Sequence, residues 1–287
     1  MGMLTSIKKW WDDERCESRK AAISRSCPER AGAFQAIAGR RKLRENWERE
    51  GAREFPGMRV DSQAWLLSCS GLAAYFEARA RVGQGAAVAL PSLAADSVWH
   101  AWLRVDPEGL ARFCQARYGR PMPHETKEEM AAAGHDMEPA IARCFAACCE
   151  AEGISALSGR LPSLFELDGK LRMPGGWAYR FDKKRMRVAH ADISKRGGLV
   201  LAHREQEHAG ITATGLLAIG AISPYAYNEW QMRAERKPRD GGGCGGGGGS
   251  CGIGSSGAGG HSGGESGGGD GGGGDGGGGG CGGGCGG

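Results

Sequence analysis

Four residues in the middle of the chain carry side chains that bind metal ions or transfer protons: Asp96, His100, Cys114 and His124. Asp96 and His100 are four residues apart, and this spacing places two side chains on the same face of an α-helix. A carboxylate beside an imidazole serves either as an acid–base pair or as two ligands of a divalent cation. The first interpretation, however, is a buried polar pair that only fixes helix packing; metal binding and then acid–base catalysis are the alternatives that the sequence leaves open.

Zinc is the candidate cofactor, because it accepts oxygen, nitrogen and sulfur ligands and the four residues offer all three. Their spacing is not that of a standard zinc finger. The sequence also shows no set of residues that would position a substrate beside Asp96 and His100. We therefore expect a non-enzymatic protein, and a metal-binding protein or metal-dependent enzyme is the alternative.

The helix predicted to carry this pair also carries Trp99, Trp102 and Leu103. The helical period puts these three apolar side chains on one arc, and Asp96 and His100 continue that arc. We expect the acid and the imidazole to face the interior together with the tryptophans. Because an unpaired charge in the interior costs free energy, the two must bond each other, a neighbouring helix, water or a metal.

Capping residues and apolar periodicity predict the helices that position this pair. A loose helical stripe covers Glu29–Glu50, and four clearer helices are predicted from Asp61 or Ser62 to about Gly83, from Ser92 to about Arg104, from Asp106 to about Gly119, and from Pro139 to about Gly153. Their inward residues are predicted to include Trp65, Cys69, Leu72 and Phe76, then Leu110, Phe113 and Cys114, then Ile141, Cys144, Phe145 and Cys148.

The sequence thus predicts a mainly α fold, a helical bundle with a small irregular or β-hairpin insertion and a disordered glycine-rich C-terminal tail. Past Gly153 it predicts a short helix over Leu161–Leu167, a hairpin from residues 179–181 and 186–188, and helix again over Asp192–Arg236. The predicted segments are a charged helical segment (1–60), a helical domain (61–153), a mixed extension (154–240) and the tail (241–287).

The tail of 47 residues contains 32 glycines and almost no apolar side chains. Such a segment buries too little surface to offset the entropy lost on ordering. Four thiols in it are potential zinc ligands, although glycine does nothing to preorganise them: Cys244, Cys251, Cys281 and Cys285. We expect a flexible thiol-bearing tether of an interaction or scaffold protein with an unidentified protein partner, and zinc binding by the tail is the alternative.

The charge distribution indicates an ordinary solvated surface. All 37 Lys and Arg precede the tail and 3 of the 33 acids lie in it, so residues 1–240 carry +7 and the tail carries −3. The basic run 40–44 is followed by Glu45, Glu48 and Glu50, which predicts a solvated helix face rather than a nucleic-acid site. RNA binding is kept as a weaker alternative.

No apolar signal segment opens the chain, and the eleven cysteines do not form a spaced disulfide framework. We expect a cytoplasmic protein with reduced thiols. The uncharged stretch 211–227 has 17 residues, fewer than the about 20 that a bilayer span needs. It is interpreted as a buried or amphipathic helix, and membrane association is the alternative.

Residues 91–124 read Pro-Ser…Asp-x-x-Trp-His-x-x-Leu, then an aromatic-Cys pair, then Gly-Arg-x-x-x-His. This pattern resembles the helical domain of the bacterial and plant glycine-rich domain proteins, and the similarity extends over roughly Asp61–Gly153. The resemblance implies a domain identity rather than an activity. Trp102 and Pro123 stand where members of that family often have histidines, so two of four potential imidazole ligands are absent.

Overall fold

The computed structural model describes residues 17–25, 28–182, 187–192, 206–207 and 211–235, with only the strand backbone for residues 182, 187–192 and 206–207. The helices are α1 (17–25), α2 (Pro28–Ala38), α3 (Arg41–Glu54), α4 (Ser62–Val82), α5 (Leu93–Val105), α6 (Pro107–Tyr118), α7 (Lys127–Ala132), α8 (Met137–Ala151), α9 (Leu167–Leu171), α10 (Ala213–Ala218) and α11 (Pro224–Glu235). The strands are β1 (Trp177–Asp182), β2 (Arg187–Asp192) and β3 (Gln206–Glu207). The tail over 241–287, with its four thiols, lies outside the described residues.

The described part of the chain is mainly helical, which confirms the predicted fold class. The predicted hairpin is present as well: β1 and β2 pair in antiparallel fashion, with Trp177 opposite Asp192. β3 pairs with β2 through Ala189 opposite Glu207, giving the order β1–β2–β3. The helix predicted over Asp192–Arg236 is wrong where β3 lies, and α10 and α11 occupy its C-terminal part.

The helices α4, α5 and α6 begin where their capping residues predict. Asp61 and Ser92 each accept a hydrogen bond from the backbone N–H three residues later, which opens α4 and α5. α6 begins at Pro107 and ends before Gly119, whose φ of 70° is a left-handed conformation that favours glycine. These boundaries confirm the prediction. They were predictable because each depends on residues close to it in the sequence.

Three boundaries differ from the prediction. The stripe over Glu29–Glu50 belongs to two helices, α2 and α3, since Gly39 and Arg40 between them are not helical. Glycine lowers helix propensity by about 1 kcal/mol, which favours a break there. α8 begins two residues before the predicted start at Pro139, because proline is tolerated in a first turn. The short helix predicted over Leu161–Leu167 lies instead at α9, after a series of turns.

Aromatic side chains fill the core around α5. The ring centroids of Trp47 on α3 and Trp65 on α4 are 5.3 Å apart. Trp99 of α5 lies 5.3 Å from Tyr75 and 5.1 Å from Phe76, both on α4. Tilted and edge-on rings at these distances stabilise the core beyond the area they bury. The apolar face of α5 is therefore held between its two neighbouring helices.

Two specific contacts fix α5 in this position. The indole N–H of Trp47 donates to Ser97 Oγ at 2.8 Å in the buried interface between α3 and α5. On the opposite side, Gly71 of α4 lets the helices approach closely. A Cβ at that position would lie 2.3 Å from Leu167 Cδ2 and 3.3 Å from Ala95 Cβ. Because even one added methyl group would overlap its neighbours, this packing leaves α5 little freedom.

The N-terminus of α5 is anchored by Asp168, which is 1% exposed. Its carboxylate accepts hydrogen bonds from the Ser92 hydroxyl at 2.7 Å and from the N–H groups of Leu93 and Ala94 at 3.0 Å. A fourth bond comes from the N–H of Trp177 on β1 at 3.2 Å. Burial raises the pKa of Asp168, and these four donors oppose the shift. One side chain thus ties the hairpin to α5.

The uncharged stretch 211–227 contributes to two separate helices. α10 has 6 residues and α11 has 12, with turns between them. Ile211 and Leu216 are buried. Among the described residues, no helix is both long enough and apolar enough to cross a membrane.

Candidate metal centre

Two neighbouring segments bring three of the four predicted site residues together. Asp96 and His100 lie one turn apart on α5, and His124 lies in the bend between α6 and α7. Gly119 turns the chain at the end of α6, and Thr126 opens α7 with a capping box. These two signals fix the ends of the short bend, so His124 is held over the exposed end of the α5 stripe.

The side chains form a compact group that we call the His–Asp–His cluster, defined as Asp96, His100 and His124. His124 Nε2 lies 2.8 Å from Asp96 Oδ1, and His100 Nε2 lies 3.5 Å from Asp96 Oδ2. One ligand atom from each of the three residues lies within 4.8 Å of the other two. The two imidazole rings are adjacent, with centroids 4.8 Å apart. One carboxylate therefore faces two imidazole nitrogens.

Glu54, at the C-terminal end of α3, orients the His100 ring. Its Oε1 makes a short contact with His100 Nδ1, while its Oε2 accepts a hydrogen bond from Arg104 Nη2 at 2.8 Å. Since Nδ1 is engaged by Glu54, Nε2 is the nitrogen directed toward Asp96. A carboxylate that holds the distal nitrogen of a metal-binding histidine is a common arrangement in metal sites.

The cluster lies at the boundary of the core rather than in the interior. The side chains of Asp96, His100 and His124 are 19%, 28% and 20% exposed. The expectation that the acid and the imidazole point inward with the tryptophans is therefore corrected. Leu103, which was placed on the buried arc, is 36% exposed. The buried face of α5 differs from the predicted arc because α4 packs against the side of the helix that carries Trp99. Asp96 and His100 lie at the edge of this buried face, where water reaches them.

The surroundings of His124 change the pKa of its imidazole in two opposite directions. Burial by itself lowers the pKa of this imidazole, because its charged form loses solvation. The hydrogen bond that His124 donates to Asp96 and the negative charge of Asp96 raise this pKa, with smaller contributions from Glu129 and Glu54. The net result is that the pKa of His124 lies above its usual value. In the metal-free protein, His124 is therefore hydrogen-bonded to Asp96 Oδ1.

Cys114, the fourth predicted ligand, is not a member of the cluster. Its side chain is completely buried in the face that α6 turns toward the core. Burial raises the pKa of the Cys114 thiol to about 11, although the backbone N–H of Met122 opposes the shift. A thiol that stays protonated at neutral pH is a poor metal ligand until the ion displaces its proton. Its position makes it a packing residue of α6.

The residue that the sequence analysis missed is Glu54. It lies 46 residues before His100, in a charged helix where acids and bases alternate, so no local spacing distinguished it from a solvated surface residue. Only the crossing of α3 and α5 brings the two together.

An aromatic wall closes the inner side of the cluster. The ring of Trp99 meets the His124 ring edge-on, with centroids 4.7 Å apart. Trp99 is 2% exposed, and its indole N–H has no acceptor among the described residues. Such a wall lowers the local dielectric and limits the directions from which water reaches the ligand atoms. The cluster is therefore closed on the side of Trp99, and all three of its side chains are partly exposed elsewhere.

A sequence model described as UCP032817-like matches residues 49–199, which is more than half of the chain. The chain belongs to the UCP032817-like family. The matched segment of this UCP032817-like protein runs from α3 to β2 and includes Glu54, Cys114 and the whole His–Asp–His cluster. No curated protein and no solved structure matches the chain.

Proposed function

We propose that this protein binds a divalent transition-metal ion, with Zn²⁺ as the first candidate, through Asp96, His100 and His124. The observation that carries the proposal is the convergence of their ligand atoms within 4.8 Å, at a place accessible to solvent. Two imidazoles and one carboxylate form a ligand set that zinc and other first-row metals accept.

The geometry requires only a small rearrangement to hold zinc. Ligand atoms about 2.0–2.1 Å from a tetrahedral ion lie roughly 3.3 Å from each other. Asp96 Oδ1 and Oδ2 already lie 2.8 Å and 3.5 Å from the two Nε2 atoms. The remaining adjustment is between the two imidazoles, and each ring turns on its own side-chain torsions. The ion would take the place of the hydrogen bond between His124 Nε2 and Asp96 Oδ1, and its binding requires a neutral imidazole.

Three protein ligands leave at least one coordination position for water or another ligand. Structural zinc sites use four protein ligands, whereas sites with three keep an open position, and such an ion acidifies a bound water molecule. Within the described residues, Cys114 and Glu54 are outside the cluster. The proposed site is therefore an open one, and a metal-dependent enzyme remains compatible with it.

Metal analysis of the purified full-length chain tests the proposal. The tail thiols are a separate potential source of metal binding. The otherwise wild-type chain and each histidine variant therefore carry serine in place of Cys244, Cys251, Cys281 and Cys285. After expression in zinc-supplemented medium, we expect one zinc per chain by plasma mass spectrometry. His100→Ala should lose it with an unchanged circular dichroism spectrum, and His135→Ala, outside the cluster, should retain it.

Two results would contradict the proposal. One is a wild-type cluster that takes up no Zn²⁺, Co²⁺, Fe²⁺ or Mn²⁺ at stoichiometric level, which would leave the three residues as a hydrogen-bonded packing network. The other is full metal retention in His100→Ala, which would place the ion elsewhere in the chain. In either case the fold and the positions of α5 and the bend would be unaffected.

We also propose that the tail serves in binding a protein partner, which is supported by its composition of 32 glycines in 47 residues. A chain of this kind samples a large volume without a fixed structure. Capture of a reproducible partner by the full chain but not by a chain ending at Asp240 is the expected result. The similarity to glycine-rich domain proteins is a proposal of the same kind, supported by the tail and by the Asp-x-x-Trp-His motif within the matched family segment.

A further inference from the structure

A cavity of about 620 Å³ lies where the C-terminal end of α4, one face of α8 and the segment between α10 and α11 meet. It shares no lining residue with the His–Asp–His cluster, so what it binds is a separate question from the metal centre. Its volume is within the range of about 300–1,000 Å³ that is typical of small-molecule sites in proteins. The cavity is therefore large enough to hold a small organic ligand.

Short side chains on α8 leave this space open. Ala146 and Ala147 lie in the middle of the lining face of α8, and Arg143 and Glu150 lie about one turn before and after them. Because positions i, i+3, i+4 and i+7 share one face of a helix, these four residues form a single strip along the cavity. The helix rises about 10 Å from the first of them to the last. A ligand that covers the strip is therefore about 10 Å long.

The walls of the cavity are aliphatic. Ile154, Ile219 and Ile222 line it and are only partly buried against the core. Burial raises the pKa of the Cys149 thiol, which also lines the cavity, so the thiol stays uncharged at neutral pH and adds to the apolar surface. Among the described residues of the lining, none is aromatic, so an aromatic ligand would find no ring to stack on. These walls favour an alkyl chain.

An ion pair occupies one end of the strip. Glu150 Oε1 lies 3.5 Å from Nη1 of Arg81, in the last turn of α4, and Arg81 also contacts Glu29 through Nη2. The charges of Arg81 and Glu150 therefore offset each other at this end. The carboxylate of Glu150 would also repel a second carboxylate placed beside it.

The other end of the strip presents a guanidinium without an acid partner. Arg143 makes no ion pair within the described part of the chain, and its Nη1 donates to the Ala87 carbonyl oxygen at 3.3 Å. Since Ala86, the neighbour of Ala87, is part of the cavity wall, this bond holds the guanidinium at the cavity. A guanidinium carries several N–H donors, so others remain for a ligand. The unpaired positive charge favours an anionic group.

We propose that this cavity binds a medium-chain aliphatic carboxylate, with the carboxylate at Arg143 and the alkyl chain over Ala146 and Ala147. A guanidinium holds a carboxylate through charge-assisted hydrogen bonds. The chain covers the aliphatic walls and removes their apolar surface from water. Because an extended chain of single bonds advances about 1.2 Å per bond, about eight carbons span the strip. The negative charge of Glu150 at the far end fixes the direction in which the ligand lies.

Calorimetric titration of the full chain with octanoate tests this assignment. The protein is treated with EDTA, so that no ion at the His–Asp–His cluster is present to bind the carboxylate. We expect saturable binding with one site per chain. Butyrate, which has four fewer methylene groups, should bind on the order of 100-fold more weakly. Octanol, which keeps the alkyl chain and lacks the charge, should bind about tenfold more weakly.

Two variants connect the binding to this cavity. Arg143→Gln should weaken octanoate binding about tenfold and leave octanol binding unchanged, because it removes the charge and keeps an amide that can donate to the Ala87 carbonyl. Arg112→Gln, at an exposed position of α6 outside the cavity, is the matched control and should bind as the wild type does. Ala146→Leu fills the cavity from a partly exposed position, so it should weaken octanoate and octanol alike while the circular dichroism spectrum is unchanged.

Four results would overturn the proposal. The absence of saturable octanoate binding by the wild-type chain would show that the cavity is not a site for this class of ligand. Wild-type octanoate affinity in Arg143→Gln, or equal affinity of the wild-type chain for octanoate and octanol, would show that the guanidinium does not recognise the carboxylate. Wild-type affinity in Ala146→Leu would place the alkyl chain elsewhere.

Discussion

The carboxylates of Asp168, beside the N-terminus of α5, and of Asp96, on α5 itself, have opposite surroundings. Asp168 is 1% exposed and accepts four hydrogen bonds, three of them from backbone N–H groups that cannot move away. Asp96, one turn into α5, is 19% exposed and faces the imidazoles of His100 and His124. Asp168 is buried and is held by donors that are fixed in the backbone. Asp96 is held by side chains that can move, and it is accessible to solvent.

This difference separates a structural acid from a candidate functional one. A buried carboxylate contributes to stability only if every lone pair is satisfied, and Asp168 meets that condition with donors from α5 and β1. A carboxylate that is to bind a metal must be able to give up its present partners. The partners of Asp96 are side chains partly exposed to solvent, so an ion that enters from solvent can replace its hydrogen bond with His124. The following predictions test this contrast.

The largest effect is expected at Asp168. Asp168→Ala should lower the free energy of unfolding by about 3–5 kcal/mol, because it leaves buried donors of α5 and β1 without acceptors. Asp96→Ala is the control and should change stability by less than about 1 kcal/mol, since water reaches its partners. Urea unfolding of both variants checks this. Equal losses for the two would remove the distinction between these carboxylates.

A smaller effect is expected when the orienting carboxylate is changed, and this prediction rests on the proposed metal site. Glu54→Gln should weaken zinc binding by about 10–100-fold, as the loss of an outer carboxylate does in other metal sites. Glu50→Gln, on the same helix and paired with Arg49 and Arg53, is the matched control. Competition with a chromophoric chelator measures both affinities. A Glu54→Gln affinity equal to the control would show that Glu54 does not orient His100.

The third prediction compares Asp168 with a cap that lies on the helix it serves. Asp61 accepts the Ala64 N–H at 2.9 Å, and its side chain is 48% exposed. Asp61→Ala should cost about 1 kcal/mol, because water replaces an exposed cap more readily than a buried one. Thermal or urea unfolding measures the loss. A loss as large as that of Asp168→Ala would mean that burial is not what distinguishes the two caps.

The smallest effect is the pH dependence of the metal-free protein. The pKa of His124 is raised in the fold above its ordinary 6.5, so its ion pair with Asp96 stabilises the protein fully below pH 6.5. That contribution, roughly 1 kcal/mol or less for a pair partly open to solvent, is lost as pH rises through the raised pKa. In EDTA, the stability difference between wild type and His124→Gln should therefore shrink with rising pH. A difference that grows with pH would contradict the assigned direction.

The sequence predicted the helices best where the signals are local. Asp61, Ser92 and the pair Asp106–Pro107 define helix starts through contacts within one turn, and Gly119 defines a stop through its own φ. The helical period also placed Asp96 beside His100. The sequence did not predict the break between α2 and α3. The low helix propensity of one glycine is a weak signal, and whether a helix breaks there depends on how the two helices pack.

The sequence by itself determined the mainly helical fold, the capped starts of α4, α5 and α6, and the presence of an acid and an imidazole one turn apart. Only the tertiary structure decided that this pair lies at the solvent-exposed edge of α5 and that His124 lies beside it, whereas Cys114 does not. It also decided that Glu54 and Asp168 contact α5 from distant segments. Helix starts depend on atoms a few bonds apart, whereas these contacts depend on how whole helices cross. No spacing within a single segment encodes that crossing.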